Sequence, residues 1–123
     1  MPYDIQWLLK GRIIHMRDYG ECTIEELDES IIRLHKLLDE GSAPVHLIHD
    51  NRDVTKYPLS IQTLKPIVKK HANTGWIMFV SDDKATRFIS TVLSSIAGQK
   101  AKHCSHFDEA ITILQKQDAS LPK

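Results

Sequence analysis

Apolar residues along this chain fall into short runs and helical stripes that alternate, and the alternation predicts the elements. Ile5–Leu9 is a short apolar run closed by Lys10-Gly11, and Arg12–Tyr19 follows with β-branched Ile13 and Ile14. Two such runs across a tight turn predict an antiparallel hairpin, which Gly20 ends. Thr23-Ile24-Glu25-Glu26 has the form of a capping box. After it, Ile24, Leu27, Ile31, Leu34 and Leu38 recur every three or four residues, one face of a helix that Gly41 stops.

Ala43-Pro44 restarts the chain. Val45–His49 reads as a buried strand that runs out into a polar loop, His49-Asp50-Asn51-Arg52-Asp53. Ile61, Leu64, Ile67 and Val68 carry a second helical stripe starting at Ser60–Thr63. Pro66 fits that helix only near its first turn. Trp76–Val80 is an uninterrupted apolar run of strand length, and Asp82 or Asp83 is placed to cap the next helix. That helix has the face Ala85, Phe88, Ile89, Val92, Leu93, Ile96 and Ala97, closed by Gly98. Core packing explains this stripe, although its breadth leaves room for an apolar edge facing a partner. Ala101–Ser105 is a last short strand. Phe107-Asp108 opens a last helix through Ala110, Ile111 and Leu114, with Asp108 as the expected cap.

The predicted order is β-β-α-β-α-β-α-β-α. The fold class is therefore α/β, with a mostly parallel five-stranded sheet and one antiparallel N-terminal strand. The 123 residues are one domain's worth, and residues 1–123 are read as a single domain. Apolar residues at 41% and charged residues at 26% are ordinary globular usage. The 16 basic and 16 acidic side chains cancel, so the basic excess of a nucleic-acid binder is absent and an anionic membrane surface is a poor match. No apolar run is long enough for a membrane span, and the N-terminus lacks the features of a signal peptide. Two cysteines outside any C-x-x-C pair suit free thiols in the cytoplasm. Cys22, just before the first helix, is expected to have a slightly lowered pKa.

Ligands on open α/β sheets gather at the carboxyl ends of the strands. Two such ends are polar here, residues 49–60 and Ser81-Asp82-Asp83. The expected binding or switch surface is Asp50, Arg52, Asp53, Thr55, Ser60, Ser81 and Asp82. Ser60 at a helix start is either a plain N-cap or a site where a phosphate would meet free N–H groups. Asp50 and Asp53 are either a carboxylate pair or partners of Arg52 and Lys56.

His46 and His49 lie three apart on a strand and so face opposite sides, which prevents joint ligation of one ion. His103-Cys104-Ser105-His106 offers only two ligands per face, short of a structural zinc site, and no metal or cofactor is expected. G-x-S-x-G, G-x-x-x-x-G-K and G-x-G-x-x-G are all absent. No catalytic residues are assigned, and a His49/Asp50 hydrolase is the weakest of the readings. An open first strand would allow a homodimer through its edge.

The element order resembles the STAS domain, more particularly SpoIIAA-like proteins. The stretches that carry the resemblance are Tyr3-Asp4-Ile5-Gln6-Trp7-Leu8, Thr23–Leu27, Pro44–Asp50 and Phe107-Asp108-Glu109-Ala110. The resemblance implies a non-enzymatic regulatory or protein-interaction module, with a kinase or anti-sigma-like protein as partner. In anti-sigma antagonists a strand-end Asp is followed ten residues on by a phosphorylated serine, and Asp50 and Ser60 keep that spacing. The chain departs from the pattern in having Leu59 before the serine and Ile61, not Gly, after it. SEC14-like carriers share the general architecture, which keeps open a second reading: a carrier or sensor of a small apolar or anionic ligand at the strand ends.

Overall fold

The computed structural model describes residues 3–58 and 60–122; Met1, Pro2, Leu59 and Lys123 lie outside the described residues. The elements are β1 (Tyr3–Leu9), β2 (Ile13–Glu21), α1 (Ile24–Glu40), β3 (Val45–Lys56), α2 (Ile61–Leu64), β4 (Thr74–Val80), α3 (Lys84–Ala97), β5 (Ala101–Cys104) and α4 (Phe107–Gln117). The five strands lie in the order β1-β2-β3-β4-β5. β1 runs antiparallel to β2, and every other pairing is parallel. The predicted architecture is the observed one, and its cause is the alternation of apolar runs with amphipathic stretches.

Helices cover both faces of the sheet. Ala110 and Leu114 of α4 pack on Ile13, Ile48, Met78 and Val80. Leu34 and Leu38 of α1 pack on the opposite face, over Ile14, Met16, Val45 and Leu47. Leu27, Leu64, Ile89 and Leu93 join α1, α2 and α3 into a third apolar cluster. Successive strand residues thus point alternately into the α4 layer and into the α1–α3 layer.

Local signals explain most boundaries. The Thr23 hydroxyl accepts from the Glu26 N–H at 3.2 Å, which starts α1. Gly98, at φ +67, takes the left-handed conformation that ends α3, and its N–H donates to the carbonyls of Ser94 and Ser95. Asp83, not Asp82, caps α3 by accepting from the Thr86 N–H at 2.8 Å. His106 occupies the N-cap position of α4 with no side-chain hydrogen bond, while Asp108 sits in the first turn. The expectation that Asp108 caps this helix is corrected; its charge still faces the positive end of the dipole.

Three further departures have physical causes. β3 does not stop at His49 but runs on to Lys56, because its pairing with β2 continues past the end of β4 through Asp53–Tyr19, Val54–Gly20 and Lys56–Glu21. That extension has water on one edge and so reads as polar. The second helix is one turn, Ile61–Leu64, since Pro66 cannot continue it. The buried side of α3 is Thr86, Ile89, Leu93 and Ser94, whereas Phe88 and Ile96 are 63% and 52% exposed. The core-facing stripe is therefore turned away from the expected line through Ala85, Phe88, Val92 and Ile96, and two buried polar residues disguise it. Among the described residues no helix is long and apolar enough to cross a membrane.

Candidate functional site

The β3–β4 register sets Asp50 beside Val80, which brings residues 51–53 level with Ser81 and Asp82 at one rim of the sheet. Of the two segments that the sequence assigned to a shared edge, residues 51–53 and Ser81-Asp82 follow directly from this register, while Ser60 lies further on, at the start of α2. Within this rim Arg52, Asp53, Thr55 and Asp82 are exposed, and Asp50 and Ser81 are buried. The buried pair holds the rim in place. The Ser81 hydroxyl accepts from the Asp83 N–H at 3.1 Å, and the Ser81 carbonyl accepts from Arg87 Nε at 2.6 Å.

Asp50 and Asp53 are not a carboxylate pair. Arg52 holds Asp50 in a fork, with Nε donating to Oδ1 at 2.9 Å and Nη2 to Oδ2 at 2.7 Å. His15 Nε2 stands 3.6 Å from the same carboxylate. Burial works to raise the pKa of Asp50, but His15 and Arg52 outweigh it and hold the carboxyl well below its usual range. Asp53 instead accepts from Nε and Nη2 of Arg17 at 3.1 and 3.0 Å, across the β2–β3 pairing. Lys56 pairs with Glu21 at 3.8 Å, not with either aspartate.

Ser60 is exposed, and its hydroxyl accepts from the Thr63 N–H at 3.3 Å. It opens α2 on the α1–α3 side of the sheet. Asp50 points the other way, toward His15, whose ring lies 4.7 Å from that of Phe107 on α4. The ten-residue spacing is kept, but the Asp50 carboxylate is held by Arg52.

Behind the rim, in the α1–α3 layer, lies an apolar cavity of about 110 Å³. Met16, Leu27, Leu47, Leu64, Phe79 and Leu93 form much of its wall, and Lys69, Lys70 and His35 also line it. The cavity touches Tyr57 and Leu64 but none of residues 81–83, so it sits beneath the helices and not at the strand tips. His49 also lines it. Its Nε2 lies 2.7 Å from Asp18 Oδ2, and the two residues are 7% and 2% exposed. His46 faces the opposite layer and bonds Asp118 at 2.8 Å, as the parity of a strand requires. A hydrolase pair of His49 with Asp50 is excluded by the same parity.

Asp18, Arg17 and Tyr57 were not singled out from the sequence. For Asp18 a signal existed: it follows Ile14 and Met16 at alternating positions, an acid on the buried face of a strand. Cys22 is buried, and burial with the nearby charges of Asp18 and Glu26 pushes its thiol up to about 12, opposite to the expected direction. Among the described residues no cluster of His, Cys, Asp or Glu is arranged to hold a metal ion.

No protein-family model matches the chain, and no curated protein matches it. Solved structures do. An uncharacterised protein of the DUF3478 family from Shewanella loihica PV-4, with a SpoIIAA-like fold, superposes with a TM-score of 0.64 at 15% identity, over 91% of each chain. The anti-sigma factor antagonist SpoIIAA in its unphosphorylated form superposes with a TM-score of 0.62 at 11% identity, over 93% of this chain and 96% of that one. At such identities the likeness concerns the path of the backbone, and the chain has the SpoIIAA-like fold.

Proposed function

We propose that this chain is a non-enzymatic regulatory module, a single domain that binds a protein partner through the rim formed by residues 50–55 and 81–82. The observation that supports it is the rim itself: Arg52, Asp53, Thr55 and Asp82 stand exposed on a frame fixed by buried Asp50 and Ser81. The fold shared with an anti-sigma factor antagonist supports a kinase or anti-sigma-like partner, acting in the cytoplasm. Ser60 is the candidate switch. A phosphate there would replace the hydroxyl's bond to the Thr63 N–H with a stronger, charged acceptor.

Intact-mass analysis of the protein from its native cells, before and after phosphatase, tests the switch. The expected result is a species heavier by one phosphate, mapped to Ser60 and absent from Ser60→Ala. Affinity isolation with wild type, Ser60→Asp and Arg52→Glu/Asp53→Lys tests the surface. An identical partner set for all three removes the rim, and an unmodified Ser60 removes the switch.

The cavity favours a second reading, a carrier or sensor of a small apolar ligand. It is a half-open pocket whose surface is mainly apolar, rimmed by polar side chains that include Lys69, Lys70 and His35, a composition that suits a small-molecule site.

A further inference from the structure

The apolar cavity is open on one side. A groove of about 250 Å³ between α3 and the segment after α2 shares Val68, Lys70, Leu93 and Ala97 with the cavity lining, so the two form one continuous space. Ile96 lines the groove and is 52% exposed. Lys65, Lys69 and Lys70 are the cations of the combined lining, which contains no acidic side chain. Two contacts fix the lysine segment at the opening. Lys70 Nζ donates to the Gly98 carbonyl at 3.2 Å, at the end of α3, and His35 Nε2 on α1 lies 3.2 Å from the Lys69 carbonyl. An ammonium has three donors, so Lys70 keeps two for a ligand. Among the described residues no carboxylate pairs with any of the three lysines, whereas Lys56 has Glu21 at 3.8 Å. The surrounding chain has the same sign. Residues 57–107 hold seven lysines and arginines against two acids, Asp82 and Asp83, a charge of +5 within a chain whose total is zero.

We propose that this space binds a single-chain amphiphile with an anionic head, of the medium-chain carboxylate class. Its tail enters the cavity past Leu93, and its head meets Lys69 and Lys70 at the groove. This inference rests on the carrier reading above and names its ligand class. A plain hydrocarbon would use the cavity and leave the cations idle. A small inorganic anion would use the cations and leave the cavity empty. A cationic amphiphile would meet like charge. The cavity of about 110 Å³ is smaller than the roughly 150 Å³ that holds a benzene ring, so it takes the end of a chain while the remainder lies in the groove. The entrance is between α3 and the segment after α2, and residues 81–83 at the strand tips take no part in it.

NMR titrations of isotopically labelled full-length protein with octanoate, octanol and octyltrimethylammonium, which share a tail and differ in charge, test this. Octanoate should bind about fivefold more tightly than octanol, as one or two partly exposed ion pairs provide, and the cation should bind most weakly. Added salt should shrink the preference. Lys69→Gln/Lys70→Gln should bring octanoate down to the affinity of octanol and leave octanol unchanged. Lys100→Gln/Lys102→Gln removes the same charge from β5 and should change neither. Ala97→Trp, at the junction of cavity and groove, should weaken every probe at least tenfold, and its spectrum without probe reports whether it is folded. In the wild type, cross-relaxation from the octyl methyl should reach the methyls of Leu47 and Leu93, a readout that needs no variant. If no probe binds the wild type, the carrier reading falls and this inference falls with it. If octanol and octanoate bind equally, or if Lys69→Gln/Lys70→Gln keeps the preference, the anionic head is wrong while the carrier reading stands. Undiminished binding to folded Ala97→Trp, or cross-relaxation that misses both leucines, places the chain elsewhere and overturns both. Co-sedimentation with phosphatidylglycerol vesicles by a protein that binds no octanoate would give these cations a membrane as partner and overturn the proposal.

Discussion

His46 and Asp118 tie the start of β3 to the segment after α4 by a hydrogen bond of 2.8 Å. The tautomer follows from the other ring nitrogen: Nδ1 accepts from the Trp76 N–H at 2.9 Å, so Nε2 carries the proton and donates to Asp118. Arg12 Nη2 donates to the same carboxylate at 2.8 Å, and His46 is 1% exposed. Asp118→Ala leaves a buried imidazole N–H without its acceptor. The expected loss is about 1–3 kcal/mol of unfolding free energy in urea titrations. A variant as stable as the wild type would show that the latch is ornamental.

Acid should weaken the fold through two carboxylates. Asp118 is held below the usual range by hydrogen bonds from Ser120 and His46. Asp50 is held there by His15 and Arg52 against the opposing effect of its burial. A carboxyl whose folded pKa is depressed adds stability that is complete above its unfolded value, near 4, and is lost as pH falls below it. Stability should therefore be level down to roughly pH 5 and decline steadily beneath that. The double variant Asp50→Asn/Asp118→Asn should be less stable at neutral pH and show a flatter acid limb. An acid limb of unchanged steepness would assign the loss to other groups.

The layered fold was legible because period-two and period-3.6 patterns separate cleanly at Ile24–Leu38 and Trp76–Val80. The tip of β3 was not, because residues 51–56 continue pairing with β2 after β4 has ended, and water on the free edge removes the apolar signature. The stripe of α3 was misplaced because Thr86 and Ser94 are buried while Phe88 and Ile96 are exposed. The site divides in the same way. The Asp50–Arg52 contact is local, two residues apart on one strand, and the sequence offered it. His49–Asp18 and Asp50–His15 depend on the β2–β3 register, which sets Met16 beside His49 and Arg17 beside Asp50, and no local pattern encodes that.

Gly75 is required by close approach. A Cβ there would lie 2.6 Å from His46 Nδ1 and 3.0 Å from Pro44 Cβ. The imidazole cannot swing aside, because Asp118 and the Trp76 N–H hold both of its nitrogens. Gly75→Ala should destabilise the protein by about 1–3 kcal/mol, the usual cost of overpacking a filled site. Thermal melting of Gly75→Ala beside Gly98→Ala separates this steric cost from the backbone strain at Gly98. A Gly75→Ala melt at the wild-type temperature would mean that the β3–β4 junction yields more easily than its hydrogen bonds suggest.

Leu64 is the one buried residue of α2, at 1% exposure, and it packs with Leu27, Ile89 and Leu93. Leu64→Ala should cost about 2–4 kcal/mol if the site cannot collapse. Because α2 is a single turn capped only by Ser60, the loss should appear first as faster amide exchange in residues 60–68, before global unfolding. Uniform loss of protection across the sheet would instead make α2 part of the cooperative core.

Native thiols should be nearly inert. Burial, reinforced by Asp18 and Glu26, pushes Cys22 up to about 12, and burial with Glu109 raises Cys104. Both are buried, and the Cys104 thiol donates to the His106 carbonyl at 3.4 Å. The thiolate is the reactive form, so at pH 8 Cys22 should react with a disulfide reagent about a thousandfold more slowly than an exposed cysteine. The chromogenic assay should count no fast thiol in the native protein and two after urea is added, matching the two cysteines of the sequence. The single variants Cys22→Ser and Cys104→Ser identify any exception. A fast native thiol at Cys22 would mean that the loop between β2 and α1 opens readily, and with it the wall that encloses Asp18.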